Sequence, residues 1–299
     1  MNTFTLRYVK PIILGPAFLV FSMHSNFAHA IGADIGDWVA PMPGHDLLAL
    51  YGVHTKNSKI YEDGHVTDKQ AQLDVDFGLL RYTHPMYWGS WIANPQIAIP
   101  YVNYEPKGVN TLNKASGVGD VFIVLPFWPL ADRASRHYFS VSPFLYIPTG
   151  EYKSDKALNP GENRWKAALQ LGYQKGLGEN FNVELIADAT VFGSNQDYGP
   201  NRLKLTQKPL YDIRAAITYQ FNDNRNTLMG FGVQQVFGGE NKLDGVEADD
   251  RQKTTSVYAQ ASAFVTPKDQ LLFSTTKDIE TESGFKLDYQ FKIRYLHVF

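Results

Sequence analysis

The 299-residue chain contains no cysteine, which excludes a disulfide framework and any thiolate metal site. Lysine and arginine number 28 against 30 aspartates and glutamates, so there is no basic excess of the kind that holds nucleic acid. Beyond the first thirty residues or so, no apolar run approaches the roughly 20 residues that a membrane-crossing helix needs. The nucleophile signature G-x-S-x-G is missing, since Ser116 follows Lys114 where that turn requires glycine. Phosphate-loop and dinucleotide signatures are missing too. His45, His54, His65, His84, His137 and His297 are scattered, with none at the i,i+2 or i,i+4 spacing of a metal pair. The carboxylates of the stretch Gly238 to Lys253 (Glu240, Asp244, Glu247, Asp249, Asp250) do not follow a calcium-loop pattern and read as solvated surface. No cofactor, no metal, no nucleic-acid partner and no enzymatic chemistry are expected.

What is present begins with a leader. Arg7 and Lys10 precede an apolar stretch from Pro11 to Met23, and Ala28, His29 and Ala30 form a small-x-small cleavage site. That order is a secretory signal peptide over residues 1–30. The other end carries the strongest pattern. From Gly284 to Phe299, apolar and aromatic residues (Phe285, Leu287, Tyr289, Phe291, Ile293, Tyr295) alternate with Lys286, Asp288, Gln290, Lys292 and Arg294. A period of two sorts these sets onto opposite faces of one strand. The strand is longer than the ~5–6 residues usual in soluble proteins, and long enough for the ~9–11 that cross a bilayer at a tilt. Ending on Phe299, it resembles the C-terminal signal of bacterial outer-membrane barrels, which the barrel assembly machinery reads.

The same alternation marks further strands near residues 45–56, 70–82, 91–104, 119–128, 138–148, 164–174, 181–192, 211–221, 227–237, 254–265 and 270–277. Pro95 and Pro100 weaken the third, because proline removes a ladder donor. Connections alternate between long polar ones (Asn57 to Lys69, Glu105 to Ser116, Thr149 to Asn163, Gly193 to Lys208, Gly238 to Lys253) and short ones (Leu130 to Arg136, Gly176 to Asn180, Asn222 to Asn226, Thr266 to Asp269). Outer-membrane barrels show this rhythm of external loops and periplasmic turns. Aromatics such as Tyr82, Trp88, Trp91, Trp128, Phe181 and Phe221 gather at the periplasmic strand ends, as an interfacial girdle would. The fold expected is all-β: a closed antiparallel up-and-down transmembrane barrel of about 12 strands over residues 45–299.

On this parity the first two strands turn Leu47, Ala49, Tyr51, Val53 and then Leu73, Val75, Phe77 outward. The inward set becomes Asp74, Asp76, Asp120, Arg164, Lys166, Glu184, Asp188, Asp212, Arg214, Lys286, Asp288, Lys292 and Arg294. Both signs are interleaved, and buried charge is costly unless paired. Either cross-strand pairs fill a narrow barrel, or water fills it and the charges select solutes. Residues 31–44 (IGADIGDWVAPMPG) either enter the lumen as a plug or lie in the periplasm, anchored by Trp38.

Three motifs remain: GVGD around Gly117, Gly119 and Asp120, then YIPTGEY over Tyr146 to Tyr152, then NPGENRW over Asn159 to Trp165. Each has the makings of a turn. Together they resemble the family named for the meta pathway (MetA-pathway) of phenol degradation, over most of the chain after the leader. Its members look like outer-membrane barrels encoded near genes for aromatic degradation and are called transporters. The resemblance implies passive uptake of small aromatic or hydrophobic compounds, with outer-membrane lipid and a small-molecule solute as partners. Two other readings stay open: a structural barrel whose external loops bind a surface partner, and a membrane-embedded lipid-modifying enzyme with an outward dyad.

Overall fold

The computed structural model describes residues 33–221 and 226–299, and the expected signal peptide lies outside them. Twelve antiparallel strands form one closed ring. They are β1 (Leu47–Glu62), β2 (His65–Thr83), β3 (Gln96–Lys107), β4 in three pieces (Ala115–Val118, Phe122–Val124, Phe127–Asp132), β5 (His137–Tyr146) and β6 (Lys166–Leu177). Then follow β7 (Phe181–Phe192), β8 (Leu210–Phe221), β9 (Thr227–Gly238), β10 (Gln252–Phe264), β11 (Asp269–Thr281) and β12 (Gly284–Val298). Each pairs with its chain neighbours, and β12 returns to β1 in register from Leu47↔Val298 to Tyr61↔Gly284. The ring therefore presents no unpaired edge. Pro100 is accommodated because it sits beside a break in β4, where its carbonyl accepts the Gly119 N–H and no donor is needed.

The outward face is apolar in the way that only lipid tolerates. Ile97, Ile99, Leu169, Leu185, Ile213, Ile217, Phe231 and Phe291 are all exposed, a patch far larger than soluble surfaces carry. Tyr87, Trp88, Trp91 and Phe181 stand exposed at the turn end, with Trp91 stacked on Phe127 at 5.4 Å between centroids. Trp128 departs from that girdle. It is 3% exposed and its indole N–H donates to the Trp38 carbonyl, because its position on β4 faces inward.

Three connections differ from the sequence reading. Asn57 to Lys69 is not a loop: β1 and β2 run on to a two-residue turn at Asp63 and Gly64, with φ of 49° and 76°. Positive φ at both positions is what a tight hairpin asks of an Asp-Gly pair. The long connections after β7 and β9 fold into a four-stranded sheet of Asn195–Tyr198, Leu203–Gln207, Asn241–Leu243 and Val246–Glu247. There Lys208 pairs with both Glu240 and Glu247, and Lys242 reaches Glu247 at 3.0 Å. Cations thus occupy the acidic cluster. Hydrogen bonds from Lys208 and then Lys242 hold the Glu247 carboxyl below the ordinary glutamate range. A depressed carboxylate stabilises above the unfolded value and loses that contribution as pH falls through the folded one. Backbone amides of Leu243 and Val246 should therefore lose protection against deuterium exchange, relative to the intrinsic rate at each pH, once the pH drops below the glutamate range. Unchanged protection there would sink the assignment.

Candidate functional site in the lumen

The lumen has two unlike sides. Against β1–β5 lies an apolar cluster, including Val53, Leu73, Val75, Phe77, Val102, Phe122, Val124 and Leu158, closed off by Phe285 of β12. Against β6–β12 most of the buried side chains are polar, among them Gln170, Gln174, Asn182, Glu184, Asp212, Arg214, Thr218, Gln260 and Arg294, with a small apolar cluster of Ile35, Ala216 and Leu228.

This division corrects the parity of β1 and β2. Leu73, Val75 and Phe77 face the lumen, so Asp74 and Asp76 point out of the barrel. Asp74 accepts Lys107 Nζ at 2.7 Å on the outer wall, and Asp76 pairs with His54 at 2.8 Å with its side chain 62% exposed. The alternation is real, but the apolar face packs on an apolar interior rather than on lipid. Lys286 and Asp288 are the other corrections. A β-bulge between the Tyr289 and Leu287 pairings with β1 reverses the parity above it. Phe285 and Leu287 turn into the lumen, Lys286 stands over the Tyr61 ring at the outer surface, and Asp288 sits half-buried at the bulge.

The segment Ala33 to Ala40 runs inside the ring. Asp34 is 3% exposed and meets both Lys292 and Arg294, the latter at 3.1 Å. Arg294 also donates to Asp37 at 2.9 Å and to the side-chain amide oxygen (Oε1) of Gln270 at 2.8 Å. The Ile35 backbone is clamped by Gln260, which accepts from its N–H at 3.0 Å and donates to its carbonyl at 2.8 Å. The Gly36 N–H donates to Glu184, and Arg214 donates to the Ala33 carbonyl. Trp38 is 2% exposed and lies flat on Gly172 of β6, where a Cβ would come within 1.7 Å of its ring. Only glycine leaves room for the indole. The segment splits the lumen into an external cavity of about 110 Å³ and a periplasmic one of about 800 Å³.

Lys166, Arg164 and Asp120 belong to a knot at the external end. The Asp120 carboxylate accepts the N–H groups of Gly150 and Glu162, both at 2.9 Å. Glu162 in turn accepts from Arg164 Nη2 at 2.7 Å and from Lys166. Cβ atoms at Gly150 and Gly161 would lie 2.7 Å from each other's backbone. The three sequence motifs thus converge on one another, tying the β5–β6 connection to the break in β4. Asp188 accepts from Thr190 and Gln170, and Asp212 from Arg214 and Gln234. The interleaved charges are therefore largely spent on each other and on the segment. Sequence reasoning missed Asp34, Glu162 and Arg81. The last faces the periplasmic cavity beside Tyr51, its guanidinium 5.4 Å from that ring.

A family model described as "Putative MetA-pathway of phenol degradation" matches residues 56–290. Among solved structures, the chain is similar to the COG4313 outer membrane channel from Pseudomonas putida F1. That match has 32% identity and a TM-score of 0.86, covering 89% of this chain and 100% of that one. The transport unit of the autotransporter AIDA-I from Escherichia coli (8% identity, TM-score 0.57, 95% and 99% covered) shares the fold alone. None of the curated proteins matches the chain.

Proposed function

Because the chain belongs to this phenol-degradation family of outer-membrane channels, we propose that it admits small aromatic acids passively across the outer membrane. The structures it resembles are a channel and a translocator rather than enzymes, and no catalysis is assigned to it. The carrying observation is the lumen itself: two cavities parted by a tethered segment, with no wall strand between them. The periplasmic cavity offers Tyr51 with the guanidinium groups of Arg81 and Arg294 over its ring, and Phe144 and Arg133 elsewhere on its wall. Ring faces and cations together suit a flat solute with one carboxylate. Of the thirteen charged positions of the sequence reading, Arg294 lines the periplasmic cavity, Glu184, Arg214 and Lys292 hold the segment, Asp120, Arg164 and Lys166 tie the external knot, and Asp74, Asp76 and Lys286 lie on the outer wall. Residues 33–44 act as the plug, and the strand ending in Phe299 serves assembly. In liposome swelling, the protein should pass benzoate faster than a sugar of similar size, and removal of residues 33–44 should accelerate both. Vesicles that stay sealed to every solute, with and without the segment, would defeat the channel reading.

A further inference from the structure

We propose that the outer wall carries a seat for one phosphorylated, multiply acylated glycolipid of the outer leaflet. A barrel wall is convex, yet here a groove of about 850 Å³ runs across the outward faces of β9–β12 and β1–β3. Its floor combines outward positions with almost no side chain (Gly52, Gly78, Ala259, Ala261) with the exposed Phe273, Phe291 and Ile293 between them. Tyr101 and Met229 stand at its two edges, each about half exposed. Acyl chains fill such a channel at little cost, whereas packing against flat bulky side chains would leave voids.

The groove also has a polarity along its length. Its external end is marked by His54 and Thr275. Two residues further along the same faces come Lys56 on β1 and Lys277 on β11, and Lys286 lies between them on β12 beyond the bulge. Adjacent strands lie ~4.8 Å apart, so Lys56 and Lys277, either side of Tyr289, form the base of a triangle on the order of 10 Å wide, with Lys286 further out beside Ser58. That is the width of a disaccharide headgroup bearing phosphates. Lys56, Lys277 and Lys286 make no ion pair among the described residues, while the acids of the same face are engaged. Asp74 holds Lys107, Asp76 holds His54, and Glu280 accepts from Thr255. Three cations without a carboxylate partner, of which Lys286 also stands over Tyr61 and donates to the Ile279 carbonyl, lie at the headgroup level above an apolar groove and complement an anionic acylated lipid.

The test is retention. The protein is reconstituted in vesicles holding phosphorylated glycolipid and phosphatidylglycerol, re-extracted and washed in detergent, and its bound hydroxy fatty acids and phosphate are counted. Wild type should keep about one glycolipid per chain. The triple variant K56Q/K277Q/K286Q should keep about tenfold less, and A261F, which fills the groove without touching charge, should lose it as well. Heat-modifiable gel mobility reports the intact barrel in each, and K277Q alone, at an exposed position, should show a several-fold loss. Equal retention by wild type and all variants would overturn the proposal. So would equal retention of phosphatidylglycerol, or a stable homodimer that carries no glycolipid.

Discussion

Replacing Asp34 by alanine is expected to raise the benzoate permeability of reconstituted vesicles by about tenfold or more. Among the described residues Asp34 is the one carboxylate that pairs with both Lys292 and Arg294, with all three side chains under a tenth exposed. Removing one member of a buried ionic group costs about 3–5 kcal/mol, because the remaining charges stay desolvated without a counterion. The loss falls on the seated state, since an unseated segment leaves the cations to water. Each 1.4 kcal/mol is a tenfold shift, so a segment seated at about a thousand to one would be displaced in a large fraction of molecules. Asp37, whose side chain is 25% exposed, should matter less when replaced. Gly172→Val should act in the same direction by evicting the Trp38 ring. Permeability unchanged in both Asp34→Ala and Gly172→Val would show that the segment does not limit passage.

Gly161→Val should lower the temperature of heat modification more than any other glycine substitution in the external knot. The contact is with the Gly150 backbone, which cannot rotate away as a side chain would. Overpacking of this kind costs about 1–3 kcal/mol or more. The displacement also moves Glu162, on which Arg164 and Lys166 depend. Gly52→Ala is the control, because its Cβ would meet only the Ile293 side chain at 3.4 Å, an ordinary contact. Equal melting of the two variants would mean the knot contributes little.

The strands were legible because every one obeys a period of two, and lipid on one side with filled interior on the other leaves no freedom in that period. Direction was legible where the two environments differ in polarity. From β5 to β11 the inward residues are Ser140, Gln170, Glu184, Arg214, Gln260 and their like, and reading polar as inward places them in the lumen. On β2 both environments are reversed in kind. Leu73, Val75 and Phe77 meet an apolar interior, and Asp74 and Asp76 stand at the outer surface beside Lys107 and His54. Composition cannot distinguish oil inside from oil outside. The bulge in β12 was equally hidden, since an extra residue leaves alternation intact on either side of it. The course of Ala33 to Ala40 has no periodic signal at all. It depends on Gln260, Lys292 and Arg294, more than two hundred residues away.

None of those contacts is a ladder hydrogen bond. Side chains of the wall hold Ala33 to Ala40, whose own backbone bonds are the short turns Asp37 to Asp34 and Val39 to Gly36. The ring from β1 to β12 is sealed without it. Such a tail can be drawn in through the periplasmic mouth after insertion is finished and let out again without unzipping a single strand. Resetting it asks nothing of the folding machinery, and a solute that competes for Arg294 would act as its key.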